Sequence, residues 1–270
     1  MSATQPLASP MPTPVQLLRR WVVDYFNGHN PAAARQFIAP QYALEIGDHL
    51  FAGRDTAWLP AVAEQMVQYP GLGMTVHQVL AGPEQVAVWF SEHGARGGAG
   101  GPQAVWSGVG IYRAQGAQLV GCCAQEDYTT RSRQLREGVC DPVDAPAVAP
   151  WDTVPLPPDA EAEQVVRRWL GSAWPVAEPG VRCDDDHLTG RPLRFAVEAT
   201  QVLTLFSSGP EVAFQVRQRG RYLGGLPGVP ARERSEMLHS NGIVRVQGGA
   251  VLKGRVIRDR GGLKARLLQD

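Results

Sequence analysis

Two stretches of this chain, 132 residues apart, are variants of one pattern. Residues 108–135 read GVGIYRAQGAQLVGCCAQEDYTTRSRQL, and residues 240–267 read SNGIVRVQGGAVLKGRVIRDRGGLKARL. They share Gly110/Gly242, Ile111/Ile243, Arg113/Arg245, Gln115/Gln247, Gly116/Gly248, Asp127/Asp259 and Leu135/Leu267. Each alternates apolar and polar residues, turns at Gln-Gly, and alternates again, which predicts a β-hairpin. So long a period belongs to a duplicated domain, since solenoid units repeat every ~20–50 residues. A chain of 270 residues has room for both copies.

Further echoes locate the differences between the copies. Arg19-Arg20-Trp21 returns as Arg167-Arg168-Trp169 after 148 residues, whereas Val86-Ala87 and Gly94 return as Val212-Ala213 and Gly220 after 126. The second copy therefore lacks 22 residues before its middle strand, the size of one helix and its turn. It gains 6 between that strand and the hairpin, within the glycine- and proline-rich loop 222–230. The expected division is a disordered tail at 1–14, a first domain at 15–137, an extended Pro-rich linker at 138–158 and a shortened domain at 159–270.

In the first copy, Leu18, Trp21, Val22, Tyr25 and Phe26 form one helical stripe within 15–28. A short helix is predicted at 31–38, ended by Pro40, then one strand at 42–51 and a helix at 56–68 capped by Thr56. Strands at 74–80 and 85–93 flank a Gly82-Pro83 turn, and the glycine-rich stretch 94–101 reads as a flexible loop. In the second copy, Asp159 caps a helix with Val165, Val166, Trp169, Leu170 and Ala173 on its apolar face. Helices followed by a run of antiparallel strands make an α+β arrangement, with helices covering one face of a curved sheet.

Charge excludes some partners. Basic and acidic residues balance at 26 each, so neither nucleic acid nor an anionic membrane is an expected partner. There is no apolar run of membrane-spanning length, and the N-terminus lacks the pattern of a signal peptide. Four cysteines show no metal-ligand spacing, and the adjacent Cys122 and Cys123 point to opposite faces of a strand. A cytoplasmic protein with no cofactor and no metal is expected.

The segments RRWVVDYFNGH, FIAPQYA, AGRDTAW and GIYRAQGAQLVG resemble, in order and spacing, the SnoaL-like group of the nuclear-transport-factor-2-like (NTF2-like) superfamily. RRWLGSAW, YLGGLPGVPA and MLHSNGIVRVQGGAVLKG repeat the resemblance in the second copy. It implies tandem cone-shaped α+β barrels, the second reduced, each cone enclosing a hydrophobic pocket. It also implies a homodimer or an intramolecular domain pair. Members include polyketide cyclases, ketosteroid isomerases, epoxide hydrolases and non-catalytic binders, so one fold serves many chemistries. The acid/base aspartate of the cyclases falls at Ala124 and Val256 here, and the histidine preceding the hairpin at Ser107 and His239. Neither domain carries the usual pair.

Aldol or isomerase chemistry needs a group titrating near working pH and a donor to the developing enolate. Glu126 shares a strand face with Cys122 and Ala124 and is the replacement acid/base expected here. Asp48 and His49 stand at the end of the first strand, Tyr25 is a phenolic donor, and His239 matches the family histidine. Trp21, Trp58, Trp89, Glu92, Trp106 and Cys122 are the expected substrate-binding residues. The run Cys183-Asp184-Asp185-Asp186-His187 reads as a solvated turn. The leading expectation is a cofactor-free cyclase or isomerase acting on a hydrophobic polyketide- or terpenoid-like metabolite in the first domain. Epoxide opening is the alternative, and requires two of Asp24, Glu45, Asp48, Glu64, Glu92 and Glu126 to converge. A binding or scaffold protein is the third reading.

Overall fold

The structure, a computed structural model, describes residues 13–172, 179–231 and 234–269. The expected tail at 1–14 lies outside the described residues but for its last two. Thr13 closes a capping box with Gln16, and Pro14 opens the first helix, α1 (Pro14–Arg19). A wider π-type segment, Arg20–Phe26, continues it and buries Trp21, Val22, Tyr25 and Phe26. Asn30 caps α2 (Pro31–Phe37), which runs directly into β1 (Ile38–Ile46).

Here three expectations need correction. Pro40 lies within β1, at a register shift between Ile38 and Ala43 where no ladder N–H is required of it. The single strand expected at 42–51 is a hairpin, because Gly47, at φ 56°, turns the chain at Asp48 into β2 (His49–Ala52). Thr56 is likewise no cap. A π-type turn, Arg54–Trp58, precedes α3 (Leu59–Gln68), and the Thr56 hydroxyl donates back to the Ala52 carbonyl.

Four longer strands complete the first sheet or lead to it: β3 (Gly73–Ala81), β4 (Gln85–Ala95), β5 (Gln103–Gln115) and β6 (Gln118–Glu126). Their order is β2-β1-β6-β5-β4-β3, with β1 parallel to β6 and the other pairs antiparallel. The repeat does not end as a strand. Asp127 caps α4 (Tyr128–Glu137), so the stretch after Glu126 is helical.

The linker runs without a long element, anchored by Ala147 N–H to the Val76 carbonyl and by the Ala145 carbonyl to His77 Nδ1. Next come α5 (Ala160–Gly171), capped by Asp159, then β7 (Val181–Cys183) and the single-turn α6 (Asp186–Thr189). The expected apolar stripe of α5 reaches Ala173, which lies outside the described residues. β8 (Arg194–Ser208), β9 (Glu211–Gly224), β10 (Ser235–Gln247), β11 (Ala250–Arg258) and α7 (Arg260–Leu268) follow. This sheet runs β7-β11-β10-β9-β8, with β7 parallel to β11 as β1 is to β6. Both sheets are open, not the closed barrels implied by the resemblance.

Register makes the duplication visible in three dimensions. Gly110 faces Val88 and Ala124, while Gly242 faces Phe214 and Val256, so the 126- and 132-residue offsets hold across the ladders. Asp127 and Asp259 each cap the helix that follows. Among the described residues the second copy has no counterpart of β2 or α3; α6 and the loop after β9 stand there instead. Tyr222 organises that loop, its hydroxyl accepting from Leu226 N–H amid Leu193, Phe195, Val229, Leu238 and Leu263.

The sheets pack on one another through repeat-related residues. Ala87 and Ile111 of one meet Ala213 and Ile243 of the other, flanked by Leu80, Val109, Phe206 and Ile257. Asn241, the counterpart of Val109, donates to the carbonyls of Val109 and Cys123 at 3.2 and 3.1 Å. Acid–arginine contacts cross at both ends. Asp48 at the first copy's β1 end bonds Arg266 of α7, and Asp185 at the second copy's β7 end bonds Arg133 of α4.

Candidate active site

Strand register sets two carboxyls on one sheet face. Glu92 on β4 stands opposite Trp106 on β5, and Glu126 on β6 stands opposite Gly108, also on β5. The Trp106 indole N–H donates to Glu126 at 3.0 Å. Gly108 is needed for the shape, because a Cβ there would lie 2.3 Å from the Phe90 ring. Above this face α3 brings Gln65, whose amide donates to Glu92 at 2.8 Å. From the open side α4 brings Tyr128, which hydrogen-bonds Glu126, and Arg131.

These groups line a cavity of about 280 Å³. Its apolar walls include Trp21, Trp58, Leu44, Phe51 and Phe90. Glu92 is only 2 % exposed. Burial, then the neighbouring Glu126 carboxylate, push its carboxyl well above the usual range, against the opposing charge of Arg131. Burial raises Glu126 too, but Trp106, Tyr128 and Arg131 all favour its ionised form. The pair therefore differs in character: burial and the neighbouring carboxylate dominate at Glu92, whereas Glu126 has three neighbours that favour its ionised form. Two carboxyls whose surroundings drive them apart have the form of an acid/base pair.

The residues expected at the site divide cleanly by position. Glu126, Glu92, Trp21 and Trp58 line the cavity, with His49 exposed at its rim. Trp106 lies beneath, touching it through its indole N–H bond. Tyr25 is buried in the aromatic core against Trp21 and Trp58, and burial raises its hydroxyl. Cys122 is also core, its thiol raised by burial and bonded to Tyr42 and Tyr112. Trp89 faces the other way, against His77 and under the Arg182 and Arg255 guanidiniums.

Asp48 and His239 come together, but away from the cavity. His239 Nε2 lies 2.7 Å from Asp48 Oδ1, on the seam between the two copies. Burial lowers the pKa of His239, and Asp48 only partly opposes this. Burial raises Asp48, yet Arg266 and His239 outweigh it and hold the carboxyl low. Both side chains are corrected from the cavity to a contact joining the domains.

The turn expected at 183–187 is not solvated. Asp184 is fully buried, with Arg258 Nε 2.6 Å and Arg260 Nε 3.2 Å away, and Arg260 reaches on to Asp127 and Asp185. One arginine of the second copy thus holds the cap of α4, the helix carrying Tyr128 and Arg131.

Arg131, Tyr128 and Gln65 were not foreseen. The first two sit where the strand pattern was carried too far, though Asp127-Tyr-Thr-Thr130 already had the form of a helix cap. Gln65 shares with Ala61 and Gln68 a face of α3 that lines the cavity.

Comparison with known proteins agrees with the first copy. The model of the SnoaL-like domain family matches residues 18–121. Among solved structures, the chain is similar to IdmH of Streptomyces antibioticus, a proposed polyketide cyclase. That likeness has 19% identity and TM-score 0.41, covering 46% of this chain and 98% of that one. A proposed polyketide cyclase of Acidithiobacillus ferrooxidans is 18% identical at TM-score 0.42, covering 52% of this chain and 100% of its own. A Catenulispora acidiphila protein with a ketosteroid isomerase-like fold, solved with trimethylamine, is 15% identical at TM-score 0.41, covering 46% and 95%. No curated protein matches the sequence.

Proposed function

Starting from a chain whose residues 18–121 form a SnoaL-like domain, we propose that its first copy is a cofactor-independent proton-transfer enzyme acting on a small hydrophobic carbonyl compound, of the cyclase or isomerase type. The observation carrying this is the enclosed pair Glu92 and Glu126 in a cavity walled by aromatic rings. The Glu126 carboxylate takes a proton from the carbon next to the carbonyl, and the Glu92 carboxylic acid gives its proton to the carbonyl oxygen, leaving an enol. In isomerisation, protonated Glu126 returns its proton at another carbon while Glu92 recovers one from the enol hydroxyl. In ring closure, the enol carbon attacks a second carbonyl, whose oxygen receives the Glu126 proton, while the enol hydroxyl returns its proton to Glu92 as the first carbonyl re-forms. A cavity of this size suits a compound of one or two rings.

The test uses 2-tetralone, an enolisable bicyclic ketone, in deuterated water. Wild-type protein should speed loss of its α-protons, followed by NMR. Glu126→Gln keeps the shape and removes the acceptor, so the rate should fall ~10²–10⁴-fold, the range of acid/base catalysis. An unchanged rate in Glu126→Gln would overturn the assignment.

A second reading has its own support, because convergence of two carboxyls is what epoxide opening requires. There Glu92 would protonate the epoxide oxygen while Glu126 takes the proton of the attacking hydroxyl. Styrene oxide in ¹⁸O-water separates the two. A labelled diol, lost in both Glu92→Gln and Glu126→Gln, favours this route, and no diol together with α-exchange favours the first.

A further inference from the structure

The cavity also holds a cation that the proton-transfer scheme leaves unspent. The Arg131 guanidinium lies over three rings, 4.3 Å from the centroid of Tyr128, 5.0 Å from Trp106 and 5.6 Å from Tyr69. Among the described residues its side chain enters no ion pair and no hydrogen bond. Other enclosed arginines are spent on oxygens of the protein: Arg133 on Asp141 and Asp185, Arg258 on Asp184 and Asp186, Arg260 on Asp127 and Asp185, and Arg255 on the carbonyls of Arg182 and Asp184. Glu92 and Glu126 feel the charge of Arg131, but neither comes within ion-pairing distance.

An arginine carries a planar fork of five N–H donors, and aromatic faces hold that plane while leaving its edge free. Here the faces come from the protein, and the edge has no acceptor from the protein. We propose that Arg131 is the anion-binding group of the cavity, and that the substrate is an apolar one- or two-ring molecule bearing a carboxylate at that end. This rests on the cavity being the reacting site. A carboxylate fits the fork bidentately. One cation matches a single negative charge, and a phosphate dianion beside two carboxyls would have too little compensation. Bound there, the carboxylate would draw Arg131 away from Glu126 electrostatically and strengthen Glu126 as a base. Arg131 is thus a specificity-determining residue, separate from the proton carriers.

The test is calorimetric titration of the full chain at pH 7 with 2-naphthoate and, separately, with 2-naphthamide, the same rings without the charge. Wild-type protein should bind the naphthoate tighter by roughly tenfold or more, the range of a charge-assisted hydrogen bond. Arg131→Gln should erase the preference and Arg131→Lys keep part of it. Ala61→Phe fills the cavity and should abolish binding of both probes, whereas Arg136→Gln, on the exposed side of α4, should change nothing. Equal affinity for acid and amide, a preference that survives Arg131→Gln, or no binding of either probe would each overturn the proposal. If Arg131→Gln does not fold, the acid–amide difference in wild type and its loss in Ala61→Phe decide the matter. The readout is independent of turnover. Naphthoate held through Arg131 by a chain that exchanges no α-protons upholds the anion site and sinks the proton-transfer reading, and the reverse pattern sinks only the anion site.

Discussion

Replacing Arg260 with Leu should uncouple the two copies at their most enclosed ion pairs. Arg260 lies 2.6 Å from Asp127 and 2.7 Å from Asp185, with Asp184 at 3.2 Å, and it is 6 % exposed. Removing one partner of a buried ion pair typically costs ~3–5 kcal/mol, because the remaining charge is stranded away from water. Arg258 still neutralises Asp184, so the stranded acids are Asp127 and Asp185, the latter retaining Arg133. That places the loss near the lower figure, about 3 kcal/mol. At ~2–4 °C per kcal/mol for a chain of this size, the melting midpoint should fall by about 6–12 °C.

The loss should also depend on pH, with a definite sign. Burial already raises Asp127 above its usual range, and Arg260 is the charge that opposes this. Without Arg260 the folded-state pKa rises further above the unfolded value of ~3.9. A carboxyl of this kind takes up protons on folding, so stability falls as pH rises between those two values. The deficit of Arg260→Leu should therefore be smaller near pH 4 than at pH 7, read from urea midpoints by circular dichroism. The double variant Asp127→Asn with Arg260→Leu removes the stranded charge and should recover part of the loss. A deficit under 1 kcal/mol at pH 7, or one that grows on acidification, would refute the reasoning.

Asn241→Leu should cost about 1–3 kcal/mol in urea unfolding, because the Val109 and Cys123 carbonyls lose their donor while staying buried. Gly108→Ala should cost ~1–3 kcal/mol and narrow the cavity, since the new Cβ displaces the Phe90 ring, and naphthoate affinity should fall with it. The α-exchange rate should drop as acid protonates Glu126. Burial raises that carboxyl, so the drop should begin at a higher pH than an exposed glutamate would show, and a profile flat down to pH 4 would contradict this.

Much of the scaffold was legible because its signals are local. Asp159 announces a helix whatever surrounds it, and the 132-residue repeat reports itself by identity alone, whereas the Thr13-Pro14 cap falls within the expected tail. The hairpin at Gly47-Asp48 was missed because alternation continues across it from Tyr42 to Phe51, and only the pairing of β2 back onto β1 shows that the chain has turned. Glu126 could be placed on the cavity side by counting strand faces. Glu92 was expected at the pocket too, but its pairing with Glu126 was not legible, because it emerges only when β5 sets Trp106 between the two strands. Asp48 and His239 were misplaced for a related reason. Asp48 stands at a strand end and His239 within β10, and sequence cannot tell a polar group that meets a pocket from one that meets another domain.

The same seam explains why the cavity with the two carboxyls lies in the first copy. A curved sheet buries its outer face against a second sheet, and here that sheet belongs to the same chain. The second copy supplies Ile243, Asn241 and Arg260 to this contact from β10 and α7, elements it retains in full. What it lacks among the described residues is α3, which in the first copy roofs the cavity and brings Gln65 to Glu92. Its own inner face is instead packed by α5 and by the loop ordered around Tyr222. The roof can be lost without weakening the seam because they lie on opposite faces of the sheet. The second copy then acts on the first at one remove: Arg260 fixes Asp127, Asp127 caps α4, and α4 sets Tyr128 against Glu126 and Arg131 over the cavity.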